Sequence, residues 1–450
     1  MSMNGRADAV MRQGRGRFTL TAGTRSLLWR IHFWAALLAS PFILIAVLTG
    51  ILYIFTPQIE GLRYAALDRV TPAGAMRPLD DAVAAARTAA PEGWRVRAVL
   101  PPYSAASTVR VLFEQERSAH AGHEGHPQAA AKGPVTVSVN PYTAGVTGSL
   151  ANDERFGNWS MALHSRLLQG DGWRWMIELA ASAMMVMLVT GVLLWWPATA
   201  CEGMPRAGVH GRKAWQQWHA FLGVALALVT ATILITGLTW SKYAGEQIRA
   251  ARDALGQASP AAPRNLLSAP ANGRDALTWQ AVWDSARKQA PDVPMQISPP
   301  RDAQGVWRLS ANDPGQPFKR FDLLLDAYDA HPLYFSDWNR LTAFGKATAV
   351  GIPFHRGEFG WWNQALLTVF GLGVLFSLVS GWVMYFKRRQ PGRVSLPRMP
   401  KGAWAQSAIK LTVYTVLACT GMPVLTTIVA VVIALEYLLG RQTRKNPDSL

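Results

Sequence analysis

Four apolar runs, 31–55, 175–196, 218–240 and 361–386, constrain this chain more than any other feature. Each holds 22 to 26 residues with almost no charge. A helix rising 1.5 Å per residue needs only about 20 residues to cross a hydrocarbon core of ~30 Å. The runs therefore read as four transmembrane helices. Composition agrees, since only 16% of the 450 residues are charged against roughly 25% in soluble proteins. A fifth apolar region, 411–439, is broken by Gly421-Met422-Pro423. It reads either as one kinked span or as a hairpin of two short helices, because proline removes a backbone hydrogen bond.

Charge sets the expected orientation. The segments 1–30, 197–217, 387–403 and 441–450 carry 18 basic residues against three acidic ones, +15 of the net +17. Lysine and arginine are retained on the cytoplasmic side, so these segments are expected inside. The rest of the chain is nearly neutral, which removes the argument for nucleic acid as a partner. The first run is too long for the apolar region of a signal peptide and lacks an A-x-A site, so it is expected to stay as an anchor. Two segments of about 100 residues, 58–160 and 242–354, are then expected outside.

The chain reads as a duplication. His32 precedes Thr49-Gly50-Ile51 by 17 residues, and His219 precedes Thr236-Gly237-Leu238 by the same 17. His164 precedes Thr190-Gly191 by 26 residues and His355 precedes Ser380-Gly381 by 25. Each half is thus helix, external domain, helix, and both halves run in the same sense, a parallel repeat. In the first external domain 79–90 has helical periodicity, followed by strand-like stretches at 95–100, 108–114 and 135–139 and by Asn140-Pro141-Tyr142-Thr143-Ala144-Gly145. In the second, 277–290 reads as helix, with strand-like stretches at 306–310 and 318–325 before Asp326-Ala327-Tyr328-Asp329-Ala330-His331. The shared Asx-x-Tyr-x-Ala step is turn chemistry between β runs. Each external segment is expected to be a small α+β domain.

Four of the nine histidines occupy equivalent repeat positions. His32 and His219 open outward-going helices near the cytoplasmic boundary. His164 and His355 precede inward-going helices near the external boundary. Each pair offers one imidazole from each half at one depth, and two imidazoles facing across a pseudo-two-fold axis suit both axial positions of a b-type haem. A single histidine at a membrane end is ordinarily an interfacial residue; four matched positions favour ligation. Two bis-histidine haems are expected, His32/His219 on the cytoplasmic side and His164/His355 on the external side. Arg30, Arg166, Lys213 and Arg356 lie within six residues of these ligands and read either as partners for haem propionates or as ordinary interfacial bases. Glu178, one turn into the second span, reads either as a functional intramembrane acid or as a residue reaching back to the interface.

Other signals carry less. His120-x-x-His123-x-x-His126, padded with Gly and Ala, reads as a copper or zinc tract or as a solvated insertion. His331 occupies the slot of Gly145, which points to turn geometry. Cys201 and Cys419 make no CxxC or CxxCH pattern, so covalent c-type haem and iron–sulfur clusters are excluded. No G-x-G-x-x-G after a strand and no P-loop is present. Electrons must therefore reach this chain from elsewhere.

The pattern resembles the PepSY-associated transmembrane family of bacterial inner-membrane proteins. The resemblance rests on Leu163-His164-Ser165-Arg166-Leu167-Leu168, on Thr190-Gly191-Val192-Leu193-Leu194-Trp195-Trp196-Pro197, on Trp218-His219 with Thr236-Gly237-Leu238-Thr239-Trp240, and on the Asn140–Gly145 turn. It implies an α-helical integral membrane protein of four core transmembrane helices from a tandem repeat, plus a C-terminal helix or hairpin and two PepSY-like periplasmic α+β domains. The expected order is a cytoplasmic basic arm (1–30), TM1 (31–57), periplasmic domain 1 with the His-rich insertion (58–160), and a periplasmic His segment with TM2 (161–197). A cytoplasmic loop (198–217), TM3 (218–241), periplasmic domain 2 (242–354), and a second His segment with TM4 (355–386) follow. A cytoplasmic loop (387–403), the C-terminal helix or hairpin (404–440) and a cytoplasmic tail (441–450) complete it. The resemblance also implies a haem-b reductase in the bacterial inner membrane, delivering electrons from a cytosolic flavoprotein or quinol to a periplasmic ferric chelate such as a ferrisiderophore. The alternatives are a membrane-anchored PepSY binding or sensing module without redox activity, and a copper-handling protein using the His tract.

Overall fold

The computed structural model describes residues 21–115, 133–196, 203–263 and 265–389, with the single positions 424, 426 and 431. In chain order the helices α1 (Ala22–Ile54), α2 (Thr56–Arg63), α3 (Ala65–Asp68) and α4 (Leu79–Ala89) precede strands β1 (Trp94–Leu100), β2 (Val109–Gln115), β3 (Val135–Val139) and β4 (Val146–Ala151). Then come α5 (Phe156–Arg166), α6 (Trp175–Trp195), α7 (Gly211–Ala225), α8 (Ala227–Leu238), α9 (Tyr243–Ala254) and α10 (Trp279–Gln289). Strands β5 (Met295–Ser298), β6 (Trp307–Ala311), β7 (Phe321–Leu325) and β8 (Pro332–Asp337) lead into α11 (Ala343–Arg356) and α12 (Trp361–Arg388). Two compact units result. One takes the residues up to Leu48, Gly172–Ile248 and those from Val369 on; the other takes Thr49–Asp171 and Arg249–Thr368.

The first unit is helical. Among the described residues three stretches are long and apolar enough to cross a membrane: α1 over 33 residues, Asp171–Trp195 over 25 and α12 over 28. Leu44, Leu48, Val189, Leu372 and Val379 are exposed on these helices, which suits a lipid surroundings in which packing, rather than hydrophobic burial, joins helices. The third expected span, 218–241, falls on a bent pair that is apolar enough to cross a membrane if it is one span. It is two helices, α7 and α8, bent by 58° at Leu226, whose φ of −94° and ψ of 3° leave the helical region. The Leu226 side chain lies over Gly373 on α12, where a Cβ would collide with it. The bend thus packs against a neighbouring helix, and there is no proline in the run. The expected C-terminal helix or hairpin at 404–440, the arm up to residue 20 and the tail 441–450 lie outside the described residues, apart from the three single positions.

The second unit is built on one antiparallel sheet in the order β4-β3-β2-β1-β5-β6-β7-β8. Two separate small domains were expected from the sequence. Instead their equivalent first strands, β1 and β5, pair with Val99 opposite Ile297. Helices α4 and α10 cover one face over a single core that runs from Leu79, Val83 and Phe113 to Trp279, Ile297, Leu309 and Leu323. The two helices also cap each other. Asp80 accepts the backbone N–H groups of Trp279 and Gln280, both at 3.0 Å. Gln280 Oε1 in turn accepts the N–H of Leu79 at 3.0 Å. These are orphan donors of a first helical turn.

The paired turns form as the sequence predicts. Asn140 Oδ1 accepts from the Tyr142 N–H at 2.8 Å, and Asp326 Oδ1 from that of Tyr328 at 2.8 Å. Ala144 and Ala330 both sit at φ 57°. Both tyrosine hydroxyls donate to an alanine carbonyl, Tyr142 to Ala105 at 2.7 Å and Tyr328 to Ala303 at 2.6 Å. The His331 N–H donates to Asp329 at 2.9 Å, a turn contact.

Candidate functional site

In the first unit α1 carries His32 and α7 carries His219, and the two rings meet with centroids 6.2 Å apart and planes at 80°. The equivalence read from the repeat is therefore physical at this level. Each ring is held by a hydroxyl from another helix. His32 Nδ1 lies 3.0 Å from Thr190 Oγ1 on α6, and His219 Nδ1 lies 2.8 Å from Ser380 Oγ on α12. Gly191 explains how α6 comes so near, since a Cβ there would stand 3.3 Å from His32 Cε1. Gly381 meets nothing within 4 Å, so its small size is not required by the His219 ring. Arg30 and Lys213 sit on the same helices as these histidines, two and six residues before them.

In the second unit His164 repeats that arrangement. Its Nδ1 is 3.0 Å from Thr49 Oγ1, and a Cβ on Gly50 would stand 3.3 Å from its Cε1. His164 lies in the last turn of α5 and His355 in the last turn of α11. Both helices stop on a left-handed residue, Leu167 at φ 50° and Gly357 at φ 76°. Leucine rarely adopts that conformation, and Leu168 follows it at φ 61°.

The expected propionate partners near these two histidines already have partners. Arg166 reaches Asp171 at 2.7 Å. Arg356 donates to the Tyr53 hydroxyl at 2.8 Å and pairs with Glu358 at 2.9 Å. Burial pushes the Glu358 carboxyl above the usual carboxylate range, Arg356 opposes this, and Asp313 adds to it. Beside α5 lies a cleft of about 510 Å³ lined by Asn152, Asp153, Asn158, Trp159, Met161 and Arg166 among others.

Glu178 serves as a helix cap. It is fully buried and accepts the N–H groups of Tyr243 at 2.9 Å and Ala244 at 2.8 Å, capping the N-terminus of α9 from another helix. A carboxylate there also meets the positive end of the α9 dipole. Glu178→Ala strands the N–H groups of Ala244, which is buried, and of Tyr243, which is partly so, and we expect a loss of about 2–4 kcal/mol, read as a lower melting temperature of the detergent-solubilised chain. Glu178→Gln keeps an acceptor oxygen and should lose less.

Among the described residues no group of three or more His, Cys, Asp or Glu side chains is placed to hold a metal ion. His120, His123 and His126 lie outside the described residues. Sequence reasoning missed the partners of the histidines. Thr49, Thr190 and Ser380 served there only to align the halves, although a hydroxyl before each glycine was the signal available.

The family described as PepSY-associated TM region matches residues 29–388 of the chain. No curated protein matches the sequence.

Proposed function

The chain belongs to the PepSY-associated transmembrane family, and from that premise we propose that it is a haem-b oxidoreductase of the bacterial inner membrane. It would reduce a periplasmic ferric chelate, such as a ferrisiderophore, with electrons from a cytosolic flavoprotein or a quinol. The observation that carries this reading is the 6.2 Å between the His32 and His219 ring centres. A metal–imidazole bond of about 2 Å on each side, added to the half-width of each ring, sets ring centres about 6 Å apart. The residues present therefore fit an iron held by both imidazoles.

His32 and His219 would hold one haem, and His164 and His355, by their place in the repeat, a second. A bis-imidazole haem b supplies one-electron transfer between its ferric and ferrous states. The chain's own part is to orient the imidazoles through Thr190, Ser380 and Thr49 and to keep the inner pair in an apolar helical setting. Outside the membrane one electron converts the substrate Fe(III) to Fe(II), which hard oxygen donors hold less tightly, so no side chain need act as acid or base. The cleft beside α5, with Trp159, Arg166 and three polar side chains from Asn152, Asp153 and Asn158, would offer the chelate a polar place on the helix that carries His164. That α5 faces the periplasm is part of the proposal, resting on the basic segments at the other helix ends.

Reduced-minus-oxidised spectroscopy with pyridine haemochrome quantitation tests the reading. The purified chain is expected to show about two low-spin b haems. A chain purified from haem-replete cells with no Soret band would instead favour a membrane-anchored binding module.

A further inference from the structure

Resting on the haem reading above, we propose that Thr190 and Ser380 are positioning residues that fix the tautomer of His32 and His219, leaving each Nε2 as the nitrogen free for iron. A hydroxyl has one proton to give. Thr190 Oγ1 has the carbonyl of Val186 at 2.7 Å and that of Met187 at 3.3 Å in its own helix. Ser380 Oγ has the carbonyl of Ser377 at 3.0 Å. Each proton is committed to the helix backbone, the usual arrangement for serine and threonine inside a helix. Toward the imidazoles, at 3.0 and 2.8 Å, these oxygens are then placed to accept. Nδ1 therefore carries hydrogen and Nε2 carries the lone pair.

Burial makes the assignment binding. Thr190 is 5% exposed and Ser380 fully buried, so each hydroxyl has little access to water. The two positions share the hydroxyl, threonine in one half and serine in the other, beside a backbone group, of Met187 or Ser377, that also hydrogen-bonds the ring; the shared oxygen, not a methyl contact, carries the role. Thr49 stands in the same relation to His164, at 3.0 Å. An acceptor on Nδ1–H raises the basicity of the ligating nitrogen and stops the ring from rotating, as acceptors behind metal-bound histidines do. A more basic ligand favours ferric iron, so these hydroxyls lower the potential of the haem they serve.

The test uses the full chain with Thr190→Val, Thr190→Ser, Ser380→Ala and the wild type. Valine keeps the shape of threonine without the oxygen. Thr190→Val and Ser380→Ala should each raise the midpoint potential of one haem and speed its loss to an excess of a haem-scavenging protein by about 10- to 100-fold. Thr190→Ser should restore both. Unchanged potential and retention in Thr190→Val, or no rescue by serine, overturns the proposal. Failure of the haem reading is separable, because the ¹⁵N shifts of labelled His32 and His219 report the tautomer without any haem. A protonated Nδ1 in the wild type and a mixture of tautomers in Thr190→Val supports the assignment; identical tautomers in both overturn it.

Discussion

His32→Ala is expected to bring the haem content of the purified chain from about two per chain to about one, and His219→Ala to do the same. The two rings stand 6.2 Å apart, so either imidazole lost leaves the other with half of an axial pair. The double variant should lose no more than either single one, because ligands that act as a unit are non-additive. Low-spin signal should fall by half while the remaining haem keeps its spectrum, since His164 and its Thr49 partner belong to the other unit. Reduction of an added ferric chelate by right-side-out vesicles should fall to the rate of vesicles lacking the chain. Haem content and low-spin signal at wild-type level in both single variants would remove these histidines from the assignment.

The second large effect concerns folding. Ile297→Asp is expected to destabilise the whole sheet unit by at least ~3 kcal/mol, the cost of losing a buried aliphatic side chain and placing a carboxylate without a partner. Ile297 is fully buried and faces Val99 where the two halves of the sheet join. Its neighbours in the core come from both halves. Hydrogen exchange should therefore rise together in β1–β4 and β5–β8. Val146→Asp, at a half-exposed position on the edge strand β4, should stay within about 0.5 kcal/mol of wild type. Exchange confined to β5–β8 in Ile297→Asp would show two independent folding units.

Much of this architecture is legible in the residues, for physical reasons. Uninterrupted apolar runs place α1, α6 and α12, and amphipathic periodicity places α4 and α10 within two residues of their observed ends. The histidine equivalence survives because a duplicated chain preserves spacing along its helices. What escapes the sequence depends on partners distant in the chain. The run 218–240 contains no proline, and the bend at Leu226 packs on Gly373, far along the sequence. Strand β5 spans only Met295–Ser298, and β4 carries Gly148 in place of a packing side chain, so neither shows a clear alternation. The pairing of β1 with β5 and the reciprocal Asp80 and Gln280 caps link residues about 200 apart, and no local pattern encodes them.

That reciprocity has an evolutionary consequence. Because β1 meets its own counterpart, antiparallel, and each half caps the other's helix with the same position, the contact is isologous, the kind formed by two identical subunits. A lone ancestral half would have left β1 with a bare edge and Leu79 or Trp279 uncapped, which favours an obligate homodimer as the forerunner. In one chain that association is permanent, and equivalent places carry different side chains, threonine behind His32 against serine behind His219. Among the described residues β4 and β8 are the borders of the sheet. The ladder slips by a residue beside each of them, and β8 begins with Pro332, features that discourage recruitment of a further strand.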